Sequence, residues 1–169
     1  MTYPGLNMVA RVVWSPDGTR FLTTDDNGVR TWDATTGETT QTLTTDPTNS
    51  AAWSPDGTRI LTTGPHGVHM WDATTGETTH TLTTDPTNSA AWSPDGTHIL
   101  TAGLHGARMW DATTGETTHT LTTNWIESAA WSPDGTHILT TGPHGVRMWD
   151  ATTGETTHTL TTNPTNSAA

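Results

Sequence analysis

Residues 51–72 read Ala-Ala-Trp-Ser-Pro-Asp-Gly-Thr-Arg-Ile-Leu-Thr-Thr-Gly-Pro-His-Gly-Val-His-Met-Trp-Asp. The fold class is predicted from this stretch and its repetition. The pattern occurs four times in the chain, at a fixed spacing of 39 residues. The repeat units are 12–50, 51–89, 90–128 and 129–167. Self-similarity at a fixed period indicates a repeat architecture, in which each copy forms the same structural unit.

Each unit is predicted to form four short strands. In the second unit, turn residues separate runs of β-forming residues, and no window has the apolar spacing of a helix. Ser-Pro-Asp-Gly and Gly-Pro-His-Gly are two of these turns, because Pro presets its own φ and Gly accepts a positive φ. The predicted strands of this unit are 50–53, 59–63, 68–71 and 78–83.

The composition alone would suggest disorder. The chain has 169 residues and a net charge of -11, and only 21 of its residues, about 12%, are Leu, Ile, Val or Phe, below the ~20% expected of a folded charged chain. Nine Trp residues contradict disorder. We predict that eight of them replace aliphatic residues in the core: Trp14, Trp32, Trp53, Trp71, Trp92, Trp110, Trp131 and Trp149.

A single sheet of this polarity cannot hold itself together, so the units must stack on one another. Radial stacking gives a β-propeller, in which the sheets bury both faces against neighbouring blades. The third strand fits this arrangement, because Trp71 and Met70 are adjacent and therefore point to opposite faces. The Ala-Ala pair of the first strand suits the crowded axis, and the Thr-rich fourth strand suits the wetted outer edge. The predicted class is therefore all-β, with four blades of four antiparallel strands.

The chain resembles the WD-repeat β-propeller family over about residues 12–162. The resemblance is carried by Ser-Pro-Asp-Gly, an apolar pair, Trp-Asp, Thr-Gly and a final Leu, which occur in family order in each unit. It implies a binding scaffold that offers loop faces to other proteins. One departure is the absence of the family's Gly-His pair after the last strand, where Leu82 is followed by Thr-Thr-Asp-Pro.

Four blades are expected to form half of a ring. Residues 1–11 are read as an N-terminal extension, 12–162 as the blades, and 163–169 as a tail resembling the start of a fifth repeat. Blades shaped for a larger ring would leave two bare apolar faces, which favour association. We therefore expect a C2 homodimer that closes one eight-bladed ring. A compact four-bladed monomer is the alternative.

Charge and composition exclude several classes of protein. All six basic residues are Arg and no Lys or Cys is present, so a basic surface for nucleic acid, an anionic membrane contact and a thiolate metal site are not expected. No apolar run reaches the length of a membrane helix and no secretory signal is recognisable, so the cytoplasm is the expected location. The acidic charge favours a basic protein or peptide as partner.

Repeated polar residues are interpreted as turn residues. His66, His105 and His144 occupy the same turn of three blades, but equivalent turns are too far apart to share one metal ion, whose ligands lie at ~2.1 Å. The repeated carboxylates also lie in turns, and a single catalytic site would need residues that break the repeat. We therefore predict no metal, no cofactor and no enzymatic activity.

The positions that break the repeat are the candidate binding residues. Unit three carries Trp125, Ile126 and Glu127 where other units have Pro-Thr-Asn, together with Leu104 in place of Pro. An exposed Trp-Ile pair would anchor a protein partner, whereas local repacking is the alternative. The residues of one turn are further candidates for binding a partner: His66, His105 and His144 in units two to four, and Asp25 and Asp26 at the same turn of unit one.

Three functions remain open. The first is the non-catalytic protein-binding scaffold. The second is a lectin-like glycan binder with one site per blade, which would use Trp and Asp to hold sugars. The third is an amplified propeller fragment of a larger sensor protein, with no function of its own.

Overall fold

The computed structural model describes residues 11–44 and 46–160, which form strands and turns and contain no helix. No segment of this described part could therefore cross a membrane as a helix. The strands are β1 Arg11–Trp14, β2 Arg20–Asp25, β3 Gly28–Asp33, β4 Thr39–Thr44, β5 Ser50–Trp53, β6 Arg59–Gly64, β7 Gly67–Asp72, β8 Thr78–Thr83, β9 Thr87–Trp92, β10 His98–Gly103, β11 Gly106–Asp111, β12 Thr117–Thr122, β13 Ser128–Trp131, β14 His137–Gly142, β15 Gly145–Asp150 and β16 Thr156–Leu160.

These strands form four antiparallel sheets of four strands, each a meander of consecutive strands. We call the sheets blades 1 to 4 in chain order. The all-β prediction is confirmed, and in blade 2 the observed strands differ from the predicted ones only by one-residue extensions at β6 and β7. The first strands of successive blades lie close together, whereas in blades 2 to 4 the fourth strand is the most exposed strand of its blade. The first strands are thus innermost and the Thr-rich fourth strands outermost, as predicted.

The turns lie at two opposite ends of the blades, because consecutive strands alternate in direction. We call the end with the Ser-Pro-Asp-Gly and Asp-Ala-Thr-Thr-Gly turns the lower end. The upper end carries the β2–β3 type of turn and the linkers between blades. At the upper end Gly67 has a φ of 104°, and a Cβ placed there would lie 1.9 Å from the carbonyl oxygen of Thr83. Only glycine therefore lets the linker pass this closely over the turn.

Apolar residues gather between the blades, in one cluster for each pair of neighbours. In every pair, the earlier blade contributes mainly Leu with Val, Met or Ala, and the later blade contributes Trp and Ile. Trp71 belongs to the cluster between blades 1 and 2, whereas Met70 belongs to the one between blades 2 and 3. The prediction that adjacent residues of the third strand serve different neighbours is therefore confirmed.

Threonines of the second strand satisfy the buried indoles. Each third-strand Trp donates its Nε1–H to a Thr Oγ1 of the same blade at 2.9 Å, as in the pair Trp71 and Thr62. A buried indole N–H without a partner would be costly. A core built from Trp therefore requires polar residues in the second strand, and this explains why Thr follows the apolar residues there.

The two end blades each keep one uncovered face. In blade 1, Trp14 is 60% exposed and Trp32 is half-buried, and both pack on Phe21 with ring centroids 5.7 and 6.1 Å apart. In blade 4, Leu139 and Leu160 are 44% and 55% exposed. Within the single chain the core prediction is wrong for Trp14, because no other blade of the described residues covers the face on which it lies. The other first-strand Trp residues are buried or half-buried against the preceding blade.

Some expectations fall outside the described residues. The N-terminal extension of 1–11 lies there except for Arg11, and so does the 163–169 tail. The domain boundaries at 12 and 162 stay predictions.

Acid should destabilise the blades through their lower turns. Asp95 accepts hydrogen bonds from Ser93 and Thr97, and these bonds lower its pKa to about 2 from 3.8. Equivalent bonds lower the pKa of seven further aspartates: Asp17, Asp33, Asp56, Asp72, Asp111, Asp134 and Asp150. A depressed folded-state pKa gives stability that is complete above pH ~4 and is lost as the pH falls towards 2.

We therefore expect the Tm, followed by circular dichroism, to change little from pH 6 to 5 and to fall steeply between pH 4 and 2. Asp95→Asn should have a smaller Tm loss over that interval, because one titrating group is removed. A constant Tm down to pH 2.5 would contradict the assignment.

Candidate functional site

The upper end holds most of the residues expected to bind partners. His66, His105 and His144 are exposed at the turns of three separate blades. Within residues 11–44 and 46–160, no three His, Asp or Glu side chains are grouped as a metal site. Leu104 lies beside His105 and is 58% exposed.

The linker between blades 3 and 4 lies across the turns of both blades. The Ile126 N–H donates to the Gly103 carbonyl at 3.0 Å, and the Glu127 N–H donates to the Thr141 carbonyl at 2.8 Å. Trp125 is 39% exposed, and Glu127 is exposed beside it. Leu104, Trp125 and Glu127 form what we call the upper patch. It places an aliphatic, an aromatic and an acidic side chain where blade 2 has Pro65, Pro86 and Asn88.

Ile126 does not belong to that exposed surface. It is only 7% exposed and packs in the cluster between blades 3 and 4 with Ala102 and Ala107. The sister positions of these alanines hold Thr63 and Val68 in blade 2, so their smaller side chains leave the room that Ile126 fills. The predicted Trp-Ile anchor is therefore wrong for Ile126, where the alternative of local repacking holds.

Asp25 and Asp26 have different environments. Asp25 is buried, forms an ion pair with Arg30 at 3.1 Å and accepts a 2.7 Å hydrogen bond from the Asn27 N–H. Asp25 thus anchors its own turn and Arg30. Asp26 is exposed at the tip of this turn.

A cavity at the upper end was not anticipated from the sequence. It lies between blades 1 and 2, measures about 370 Å³, and is lined by Asp46, His69 and Trp71 among others. The corresponding places beside Arg108 and Arg147 hold only about 20 and 10 Å³. We call this the upper cavity. It coincides with the one blade whose third strand has His where the other three have Arg.

A second cavity, also not anticipated, lies at the lower end between blades 3 and 4. It measures about 290 Å³ and is lined by residues that include Asp95, His98, Met109, Trp131 and Ala151. We call it the lower cavity. His98 stands where blades 1 and 2 have Arg20 and Arg59. The exchange of Arg for His at two repeat positions was the signal that could have located both cavities.

Comparison with known families gives a match over most of the blades. The family model for eukaryotic translation initiation factor eIF2A matches residues 4–105 and residues 63–153. The two matched segments overlap in blades 2 and 3, as expected of near-identical units on which one model can be placed in more than one way. No curated protein matches the chain significantly.

Ile126 and Ala107 should be energetically coupled. Ile126→Thr should lower the free energy of unfolding by about 2 kcal/mol, because it leaves a cavity, and Ala107→Val should cost about 1–3 kcal/mol by overpacking. Both changes install the sister residues of blade 2, so the double variant should lose less than the sum by at least ~0.5 kcal/mol. Urea unfolding measures the cycle.

Glu127→Asn, which installs the sister residue at an exposed position, is the control and should change stability by less than ~0.5 kcal/mol. Additive effects of the Ile126 and Ala107 changes would contradict the compensation.

Proposed function

The chain belongs to the eukaryotic translation initiation factor eIF2A family, and on that basis we propose that it is a propeller-type protein of translation initiation that binds other proteins and catalyses no reaction. The scaffold function expected from the WD-repeat resemblance agrees with this proposal. The cytoplasm, where we expect the chain to act, is consistent with it.

The upper patch is the observation that carries the proposal. Leu104 and Trp125 are large apolar side chains left exposed next to an acidic residue, Glu127. Binding energy at protein interfaces is concentrated in a few such aromatic anchors. The three residues break the repeat at a single place, on blade 3 and its linker to blade 4, and so distinguish this place from the equivalent ones on the other blades.

The lower-turn carboxylates support the absence of catalysis. Asp56 accepts bonds from Ser54 and Thr58, and Asp72 accepts bonds from the N–H groups of Thr74 and Thr75. Each such group is engaged by its own turn, and the low pKa keeps it ionised at neutral pH. Glycoside hydrolysis also requires an acid with a raised pKa, which is the opposite shift.

A glycan-binding function is less well supported. A lectin of this kind would stack sugar rings on an exposed Trp of each blade. The third-strand indoles of blades 2, 3 and 4 are at most 9% exposed, and their N–H groups are bonded to threonines. Their faces are therefore occupied by neighbouring blades.

We further propose that two copies close one eight-bladed ring. The bare face of blade 1 carries Trp14, Phe21 and Trp32, which correspond to the buried Trp53, Ile60 and Trp71. The bare face of blade 4 carries residues equivalent to those that blades 1, 2 and 3 bury against their following neighbours, Leu139 and Leu160 among them. Blade 4 of one copy thus matches blade 1 of the other, and a C2 pair uses this contact twice.

The upper patch should be required for partner binding. Trp125→Pro and Leu104→Pro install the sister residues and so preserve the turn sequence. We expect either change to weaken binding at least about tenfold, the loss produced by removing an anchor worth ~1.4 kcal/mol. The measurement is quantitative mass spectrometry of proteins retained by the tagged chain from a translation-competent extract.

Pro65→Ala, at the exposed position of blade 2 that is equivalent to Leu104, is the matched control and should retain the partners. Equal recovery by the chain and by both Pro variants would remove the upper patch as a binding site.

Ring closure should be visible as mass. Light scattering at physiological salt should give about twice the chain mass of 18.1 kDa, and Leu139→Asp should halve it by placing a charge in the contact. Leu104→Asp, at another exposed leucine that lies in blade 3 and away from both bare faces, should leave the mass unchanged. A mass of 18.1 kDa for the unaltered chain would contradict the eight-bladed dimer and favour the compact monomer.

A further inference from the structure

The lower end contains a recurring contact between an Arg and the next blade. Arg20 of blade 1 donates from Nη1 to the carbonyl oxygen of Ala73 in blade 2, and its Cζ lies 4.9 Å from the centroid of the Trp53 ring. Arg59 of blade 2 donates in the same way to the carbonyl oxygen of Ala112 in blade 3. A guanidinium thus has a defined place between successive blades, with a carbonyl and, in the first case, an indole face as its partners.

Between blades 3 and 4 this place has no Arg. His98 occupies the sequence position, but its shorter side chain bonds its own neighbour, with Nδ1 2.8 Å from Thr97 Oγ1. Its ring lies 6.5 Å from that of Trp131 by centroids, at a tilt of 45°. No side chain of the described residues donates to the Ala151 carbonyl, the equivalent of the acceptors in Ala73 and Ala112. The lower cavity, of about 290 Å³, lies at the place that the Arg side chain fills between the earlier blades.

The cavity follows from the loss of the Arg side chain. The upper cavity provides an independent case, since His69 there replaces an Arg that is present in the three other blades. Where Arg108 and Arg147 are present, almost no free volume remains. Two different repeat positions therefore show the same result, namely that His in place of Arg leaves a cavity large enough for a side chain.

We propose that the lower cavity binds an arginine side chain supplied by a partner protein or peptide. The guanidinium would lie over Trp131 and donate to the Ala151 carbonyl, repeating the contacts that Arg20 makes within the chain. Trp131 is only half-buried and lines this cavity. This inference rests on the proposed protein-binding function, and it adds the chemistry of the partner.

Charge selects a cation at this site. Asp95 lines the lower cavity, and hydrogen bonds from Ser93 and Thr97 hold its pKa at about 2, so it is ionised at neutral pH. The net charge of -11 attracts basic segments from a distance. A planar guanidinium can stack on an indole while donating in its own plane, whereas an ammonium is a more strongly hydrated point charge. Arginine is therefore favoured over lysine.

The test uses short blocked peptides and the intact chain. Acetyl-Gly-Arg-Gly-amide is titrated while the indole N–H signals are followed by ¹H–¹⁵N NMR, with the Trp131 signal assigned from Trp131→Phe. We expect a saturable shift of the Trp131 signal, with affinity at least ~3-fold higher than for the Lys peptide and higher still than for the uncharged citrulline peptide. No shift of the Trp131 signal, or equal shifts with all three peptides, would overturn the proposal.

Two variants make the test specific to this cavity. His98→Arg installs the sister residue, fills the cavity from within, and should weaken the peptide at least ~10-fold. Arg59→His does the reverse between blades 2 and 3 and should create a new response at Trp92. Unchanged binding by His98→Arg would overturn the proposal even if Arg59→His fails to fold, which a thermal melt checks.

The outcome can be separated from that of the proposed function. Small peptides probe the lower cavity without the natural partner, whereas Trp125→Pro and Leu104→Pro probe the upper patch. Loss of partners in those two variants with no peptide response would leave the scaffold standing and remove only the arginine site. A peptide response with unaffected partner recovery would remove the upper patch and keep the arginine site.

Discussion

Packing of each blade against the next is the constraint on which the rest of the structure depends. A single blade has few aliphatic residues, and its outer strand is almost entirely polar. Its apolar residues are buried only by the neighbouring blades, with Trp and Ile on one side and Leu, Val and Met on the other. Threonines are needed within the core because they accept the indole N–H groups. The unusual composition is therefore the composition of an interface repeated along the chain.

The 39-residue repeat made the strands and turns predictable, because they depend on local residue patterns. It also predicted that Met70 and Trp71 pack against different neighbouring blades, because adjacent residues of a strand point to opposite faces of the sheet. What the repeat could not reveal was which faces lack a neighbour. Trp14 has the same sequence context as Trp53, yet it is exposed because no other blade of the described residues packs on its side of blade 1. The prediction that Ile126 is exposed was wrong for a related reason. Its burial depends on Ala102 and Ala107, small residues that are distant in sequence but adjacent across the blade.

Deviations from the repeat are where individual sites arise. Four identical blades would present the same surface four times, so a partner could not distinguish them. Substitutions in blade 3 leave Leu104 and Trp125 exposed while Ile126 repairs the core below them. Exchanges of Arg for His at positions 69 and 98 leave side-chain-sized cavities between otherwise equivalent blades. The carboxylates, by contrast, repeat in every blade and serve their own turns.

Each blade has two different faces, and the face that follows one blade always matches the face that precedes the next. The connection between blades always runs from an outer strand to the next inner strand through an upper linker. Gain or loss of one whole unit at a linker therefore leaves every remaining pair of blades with matching faces. Units two and four differ at only three positions, Arg59/His137, His69/Arg147 and Asp85/Asn163, so the blade that either unit forms offers nearly the same two faces to its neighbours. The number of blades can thus change by one whole unit while the core contacts between the remaining blades stay the same.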